Sequence, residues 1–159
     1  MGLAIMTIRG NSISMRTVTL FLSTLLLTAC LQQPAQQIRV EDAWIAEIPP
    51  MIRVTAALMR LHNDGDKPVY LVGASSPNTS SIEIHRSIVV NDLAKMIQQK
   101  ELEIPAQGSL EFSNDSGYHL MLYESKDIKA GNKIPISLEF KDGSVLTLEF
   151  EVKDRRQFM

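Results

Sequence analysis

Inside the apolar run SGYHLMLY, Ser116 to Tyr123, an imidazole and a thioether stand two residues apart, His119 and Met121. On an extended strand residues i and i+2 share a face, so both side chains can point at one atom. Two further residues of the same types precede them. His85 lies in IEIHRSI, with Glu83 and Ser87 on its face of a strand and Ile82, Ile84 and Arg86 on the other. Met96 closes NDLAKM ten intervening residues later, and His119 follows after 22 more. Thioether sulfur is soft and uncharged, and it selects Cu(I) over zinc, calcium or magnesium. No carboxylate or thiolate completes the set, so zinc is poorly served. Two His and two Met offer Cu(I) four neutral donors. Taken singly, each residue has a plainer use: Met fills cores and His usually serves as a hydrogen-bonded structural group. The weight lies in the set, which uses two of the three histidines in the chain.

The single cysteine, Cys30, narrows the chemistry further. No disulfide can form within the chain, and a blue-copper centre lacks its thiolate in the body of the protein. The residues before it form an address. From Met15 the chain reads MRTVTLFLSTLLLTAC: an Arg, an apolar run from Thr17 to Leu27, then small residues ahead of Cys30. That is the layout of a secretory signal peptide, and the run is shorter than the ~20 residues a membrane-spanning helix needs. Met15 is a second candidate start. The ending Leu27-Thr28-Ala29-Cys30 resembles the bacterial lipobox, in which cleavage precedes the Cys and the new N-terminus is acylated. Residues 1–29 are thus expected to be a signal peptide. Cys30 is expected to be the lipidation site, and 30–37 a short polar tether. Acylation there leaves no thiolate for catalysis, and any soft-metal site must use His and Met.

The 159 residues amount to one domain, with a formal charge of −2 and no basic stripe, which argues against nucleic acid as a partner. The two arginines Arg9 and Arg16 fall in the first 30 residues, which hold no acid, so the body is more acidic than the whole. Paired carboxylates, phosphate-binding glycine loops and a serine nucleophile elbow are all missing, so no enzymatic chemistry is expected.

The elements that must hold the donors in place read as all-β. IRVEDAWIAEI, VTAALMRLHN, VYLVGAS, SIEIHRSIVV, KELEIP, SLEFS, YHLMLY, IPISLEF and SVLTLEFEV are short runs with period-two alternation, separated by turn chemistry. Asp142-Gly143 between two such runs predicts a hairpin. Only Ile128 to Gly131 looks like a helical turn. Trp44 is expected to pack inside the sandwich, with a place beside the metal as the lesser alternative. Met51 and Met59 read as surface or core, and His62 as a solvated strand end. Many short strands at even spacing predict a sandwich or barrel over residues 38–153, with a polar tail at 154–159.

At this point the chain resembles the PCu(A)C family of periplasmic copper chaperones. That family's motif is a His, ten residues, a Met, twenty-one residues, then His-x-Met; HRSIVVNDLAKM keeps the first spacing and the second is longer by one. The additional residue falls in FSNDSGYH, where a turn absorbs it without moving His119 along its strand. VEDAWI, VGASSP, LEIPAQGSLEF, GYHLML and IPISLEF extend the similarity over about residues 38–152. The resemblance implies a cupredoxin-like Greek-key β-sandwich with His85, Met96, His119 and Met121 as Cu(I) ligands. It also implies delivery of copper to the copper A centre of cytochrome c oxidase. Two positions depart from the family: Ala46 stands where an Arg is usual, and Arg86 follows His85, a cation expected to weaken the hold on a bound cation. The expectation is a periplasmic, membrane-anchored lipoprotein that passes Cu(I) by ligand exchange to an oxidase subunit or another copper chaperone. A copper buffer sharing the same site, or a β-sandwich adaptor that binds no metal, are the alternatives.

Overall fold

The computed structural model describes residues 37–49, 51–154 and 156; the expected signal peptide, Cys30 and all of the tether but Gln37 lie outside them. Ten strands follow in order: β1 Ile38–Ala46, β2 Thr55–Asn63, β3 Val69–Ser75, β4 Ser81–Val90, β5 Leu93–Gln98, β6 Leu102–Ile104, β7 Gly108–Phe112, β8 Tyr118–Tyr123, β9 Lys133–Phe140 and β10 Val145–Lys153. They hydrogen-bond in the sequence β5-β4-β8-β2-β1-β10-β9-β3-β6, with β7 also on β2. Every pairing is antiparallel except β1 with β10, which run parallel with Trp44 opposite Glu151.

Alternation in the sequence explains the layering. On β2 Thr55, Ala57, Met59, Leu61 and Asn63 point inward while the residues between them are half-exposed. Leu120 and Leu122 of β8, Ile84 of β4, Ile134, Ile136 and Leu138 of β9, and Phe150 and Val152 of β10 join the same core. Met59 is therefore a core residue, and Met51 lies at the surface. Asn63, buried at the end of β2, is fully used: its amide donates to the carbonyls of Lys67 and Ile104 at 2.8 and 3.1 Å, and its oxygen accepts from Gly65 N–H. This ties off the NDGDKP turn from inside, since a buried amide needs partners.

The Asp142-Gly143 hairpin forms as expected, Gly143 at φ +85° and Phe140 N–H donating to Ser144 O. Ile128 to Gly131 is not a helical turn. Ile128 is buried in the core, and the segment closes as a turn in which Asn132 N–H donates to Lys129 O. Four residues hold too few intrahelical bonds to offset anchoring Ile128 inward.

Trp44 does not pack inside the sandwich. Ile38 and Ile45 both point into the core, yet they are seven residues apart, an odd separation that strict alternation forbids. A β-bulge resolves it: Glu41 pairs with Arg60 and Trp44 with Leu58, so three steps on β1 match two on β2. Asp42 sits in the left-handed region at φ 51° to make the extra step. From there on the phase is inverted, and Trp44 and Ala46 face outward.

Candidate metal centre

The candidate donors stand on the outer face of the β5-β4-β8-β2-β1 wing, opposite the core. His85 on β4 and His119 on β8 are direct cross-strand partners, and Glu83 faces Met121 one step along. Such opposed residues put their Cβ atoms about 5 Å apart. The two imidazole centroids are 5.9 Å apart with planes at 69°. Met96 comes from β5, where it pairs with Ser87, one step from His85 in the other direction. All four side chains therefore share one face, the two imidazoles in one row and a thioether on either side.

β5 was not expected as a strand. None of its six residues is buried, so no alternation marks it. The distal half of β4 and the whole of β5 form a hairpin arm turned by Asn91 and Asp92, at φ 52° and 61°. Asn-Asp at such a turn is the signal that could have revealed it. The arm leaves Val89, Leu93, Met96 and Ile97 exposed, Met96 to 59%.

His119, Met121 and Met96 line a cleft of about 470 Å³ with Trp44, Ala46, Ala56, Leu58, Ser87, Ser113, Asn114 and Gly117. None of these side chains is charged. His85 is buried beside the cleft, 9% exposed, and does not line it.

Hydrogen bonds fix how each ring is presented. His85 Nε2 lies 2.7 Å from Glu83 Oε2, so with the carboxylate ionised Nε2 carries the proton and donates it. Nδ1 then bears the lone pair, and it is the one buried side-chain nitrogen or oxygen without a hydrogen-bond partner among the described residues. A carboxylate behind an imidazole whose other nitrogen is left open is the arrangement that orients metal-binding histidines. Sequence reading placed Glu83 on the face of His85 but assigned it no role; a carboxylate two residues before a candidate ligand on a strand was the available signal. His119 Nδ1 lies 3.2 Å from Gly117 O, which makes Nδ1–H the donor and frees Nε2. Burial holds the His119 imidazole below its ordinary value, a protonated His85 adds to that, and the Gly117 carbonyl opposes it. The ring is thus kept in the neutral form a metal requires.

Gly117 makes the His119 end possible. Its φ is +76°, and a Cβ there would stand 2.5 Å from Ser87 O. Only glycine allows the backbones of Gly117 and Ser87 to meet in the Ser87 N–H to Gly117 O bond of 2.8 Å. The preceding loop, which takes the additional residue of the motif, is pinned by Ser116 Oγ donating to Glu111 O at 2.7 Å. Arg86, expected to weaken the hold on a bound cation, is on the opposite face, its guanidinium 5.1 Å from the Tyr118 ring centroid. His62 is not in the cluster and pairs with Glu41 at 3.1 Å.

The donor set fits a soft monovalent cation. Among the described residues no three His, Cys, Asp or Glu side chains are grouped to hold a metal ion, so harder ions find no oxygen-rich or thiolate cage.

Comparison with known proteins agrees with this fold. The solution structure of apo-DR1885 from Deinococcus radiodurans is similar over 98% of this chain and 97% of its own, with TM-score 0.59 and 31% identity. The structure of CuI-DR1885 matches with 36% identity and TM-score 0.57, covering 71% of this chain and 76% of that one. The copper-bound PCuAC domain from PmoF2 has TM-score 0.61 over 74% of this chain and 93% of its own, at 17% identity, a likeness of fold. The all-β sandwich of these domains is therefore the fold of this chain. A protein of Leifsonia xyli subsp. xyli (strain CTCB07) described as "Putative lipoprotein Lxx21020" is 33% identical over 133 residues, 80% of this chain and 78% of that one. Residues 38–152 match the family described as "Putative lipoprotein LpqE-like", and the chain belongs to that LpqE-like family.

Proposed function

We propose that this protein is a lipid-anchored, extracytoplasmic Cu(I) carrier that holds one copper ion through His85, Met96, His119 and Met121. It is a carrier rather than an enzyme. The observation that supports this most directly is the orphaned Nδ1 of buried His85, held open by Glu83 beside His119 in a row flanked by two thioethers. The similarity to a Cu(I)-bound structure at 36% identity supports the same choice of metal. Acylation of Cys30 tethers the domain to the membrane, in keeping with the lipoprotein family.

Transfer proceeds by ligand exchange. Met96 is on the exposed arm, so it is the donor an acceptor reaches first, while the histidines stay anchored on β4 and β8. Thioether release needs no protonation, and the ion is never free in solvent. The acceptor is a copper site of another extracytoplasmic protein, the copper A centre of cytochrome c oxidase or a second copper chaperone.

A Cu(I) competition titration of residues 31–159 against a coloured chelator tests the site. One equivalent bound tightly, and lost in His85→Ala and Met121→Leu, is the expected result; no competition returns the fold to an adaptor role. Oxidase activity in a strain lacking the protein, grown in low copper, separates delivery from buffering: undiminished activity removes the oxidase as acceptor.

A further inference from the structure

Trp44 is the only tryptophan in the chain, and the bulge at Asp42 places it where the core cannot use it. A large aromatic side chain is most stabilising when buried, and a regular β1 would have carried this one inward. The inverted phase brings it instead to the wall of the cleft that His119, Met121 and Met96 also line. Its companions there are uncharged: Leu58 stands directly opposite it on β2, and two alanines keep the rest of that wall low. Ala46, two residues on along β1, and Ala56, directly opposite Met121 on β2, each contribute only a methyl group. Three adjacent strands thus give the cleft, in order, an indole, a floor of Ala56 and Leu58, and the donor pair.

We propose that Trp44 is part of the cargo site: its indole face closes the cleft on the side away from Met96 and stabilises the bound monovalent cation by cation–π attraction. This deepens the Cu(I) reading and rests on it. The chemistry is matched on three counts. All four donors are neutral, so bound Cu(I) keeps its full positive charge. No charged side chain lines the cleft itself, the Glu83 carboxylate standing behind His85. An indole is the strongest aromatic partner for a cation, and the effect grows when water is excluded. The indole also gives selectivity, since it rewards a poorly hydrated soft cation and offers nothing to a strongly hydrated divalent one.

Because the indole is unique, its own emission is the reporter. Cu(I), kept reduced with ascorbate, is titrated into residues 31–159 while tryptophan fluorescence and its quenching by acrylamide are followed, with chelator competition in parallel. Emission should change linearly to an end point at one equivalent, and acrylamide should reach the indole less well in the loaded protein. Trp44→Leu should bind Cu(I) about five- to thirtyfold more weakly, with Trp44→Phe recovering much of the loss. Unchanged emission and acrylamide access at one bound equivalent overturn the proposal, as does parental affinity in Trp44→Leu. If Trp44→Leu does not fold, the parent's emission and the Phe variant's affinity decide. A parent that binds no Cu(I) at all defeats the carrier reading itself, a result distinct from copper bound without any response at Trp44.

Discussion

His85 and His119 stand directly opposite one another on β4 and β8, their rings 5.9 Å apart and near perpendicular. Each ring is fixed from behind, His85 by the Glu83 carboxylate and His119 by the Gly117 carbonyl. Two rings oriented separately and brought to one place act as a unit, so their losses should not add. His85→Ala and His119→Ala are each expected to lower Cu(I) affinity by more than about a hundredfold, the upper range for removing mere supporting groups. The double variant should be little worse than either. Chelator competition on the three proteins checks this, and parental affinity in His119→Ala would remove that residue from the ligand set.

Glu83 touches no cargo in this scheme and works only through His85. Glu83→Gln keeps the shape but weakens the hold on Nε2–H, and Cu(I) affinity should fall about tenfold to a hundredfold. Thermal unfolding of the metal-free protein should move little, because Glu83 is partly solvated. An affinity equal to the parent's shows that His85 is oriented by packing alone.

The two methionines are not equivalent. Met121 is held between Glu83 and Ala56 in the middle of the sheet, whereas Met96 is on the exposed arm. Met→Leu conserves volume and should cost under about 1.5 kcal/mol of stability at either site. Met121→Leu should produce the larger loss of affinity. Met96→Leu should act mainly on the rate at which a competing chelator removes the metal, read by stopped-flow absorbance. Equal effects on rate and affinity in the two variants would show that the arm has no special part in exchange.

The pH dependence follows from His119. Burial holds its folded value below the ordinary 6.5, so the unfolded chain takes up this proton first as pH falls. Stability from this group is therefore unaffected above about pH 6.5 and declines as pH drops from there toward the folded value. Urea midpoints at pH 7.5 and 5.5 should differ more for the parent than for His119→Gln; equal differences would mean the ring is not desolvated. The contribution of His119 to Cu(I) binding should likewise be lost only as pH falls below its ordinary range, since its donor nitrogen must be free.

Gly117→Ala is expected to cost about 1–3 kcal/mol for the left-handed backbone alone. The contact of its Cβ with Ser87 O adds to that and pushes β8 away from β4. Copper affinity should fall with stability, because His119 is two residues away. A variant with parental melting temperature would show that the loop can shift without moving the site.

Much of the fold was legible because strands with one buried face announce themselves. β2, β3, β4 and β8 occupy the expected residues closely, and Asp142-Gly143 marks its hairpin. The strand that carries Met96 was not legible, since both its faces meet solvent and nothing in its pattern alternates. Trp44 was misplaced for a related reason: a bulge is a change of phase, and a period count carried through Asp42 assigns every later side chain of β1 to the wrong face. The spacing of the four donors could be read, but their grouping depends on the β4–β8 and β4–β5 registers, which pair residues distant in sequence. Glu83 and Gly117 acquire their roles only from those registers.

The parallel pairing of β1 with β10 has a consequence for how the protein is made. The first strand of the domain finds its outer partner only in the last, so the sheet stays open at its centre until nearly the whole chain has been synthesised. Such distant pairing is slow to form, because the loop between the two strands must close before any contact rewards it. The β4–β8 pairing, by contrast, joins strands much closer in sequence. The cleft lies wholly on the β5-β4-β8-β2-β1 side of the β1–β10 joint, its residues all between Trp44 and Met121, so its walls can assemble before β10 closes the sheet.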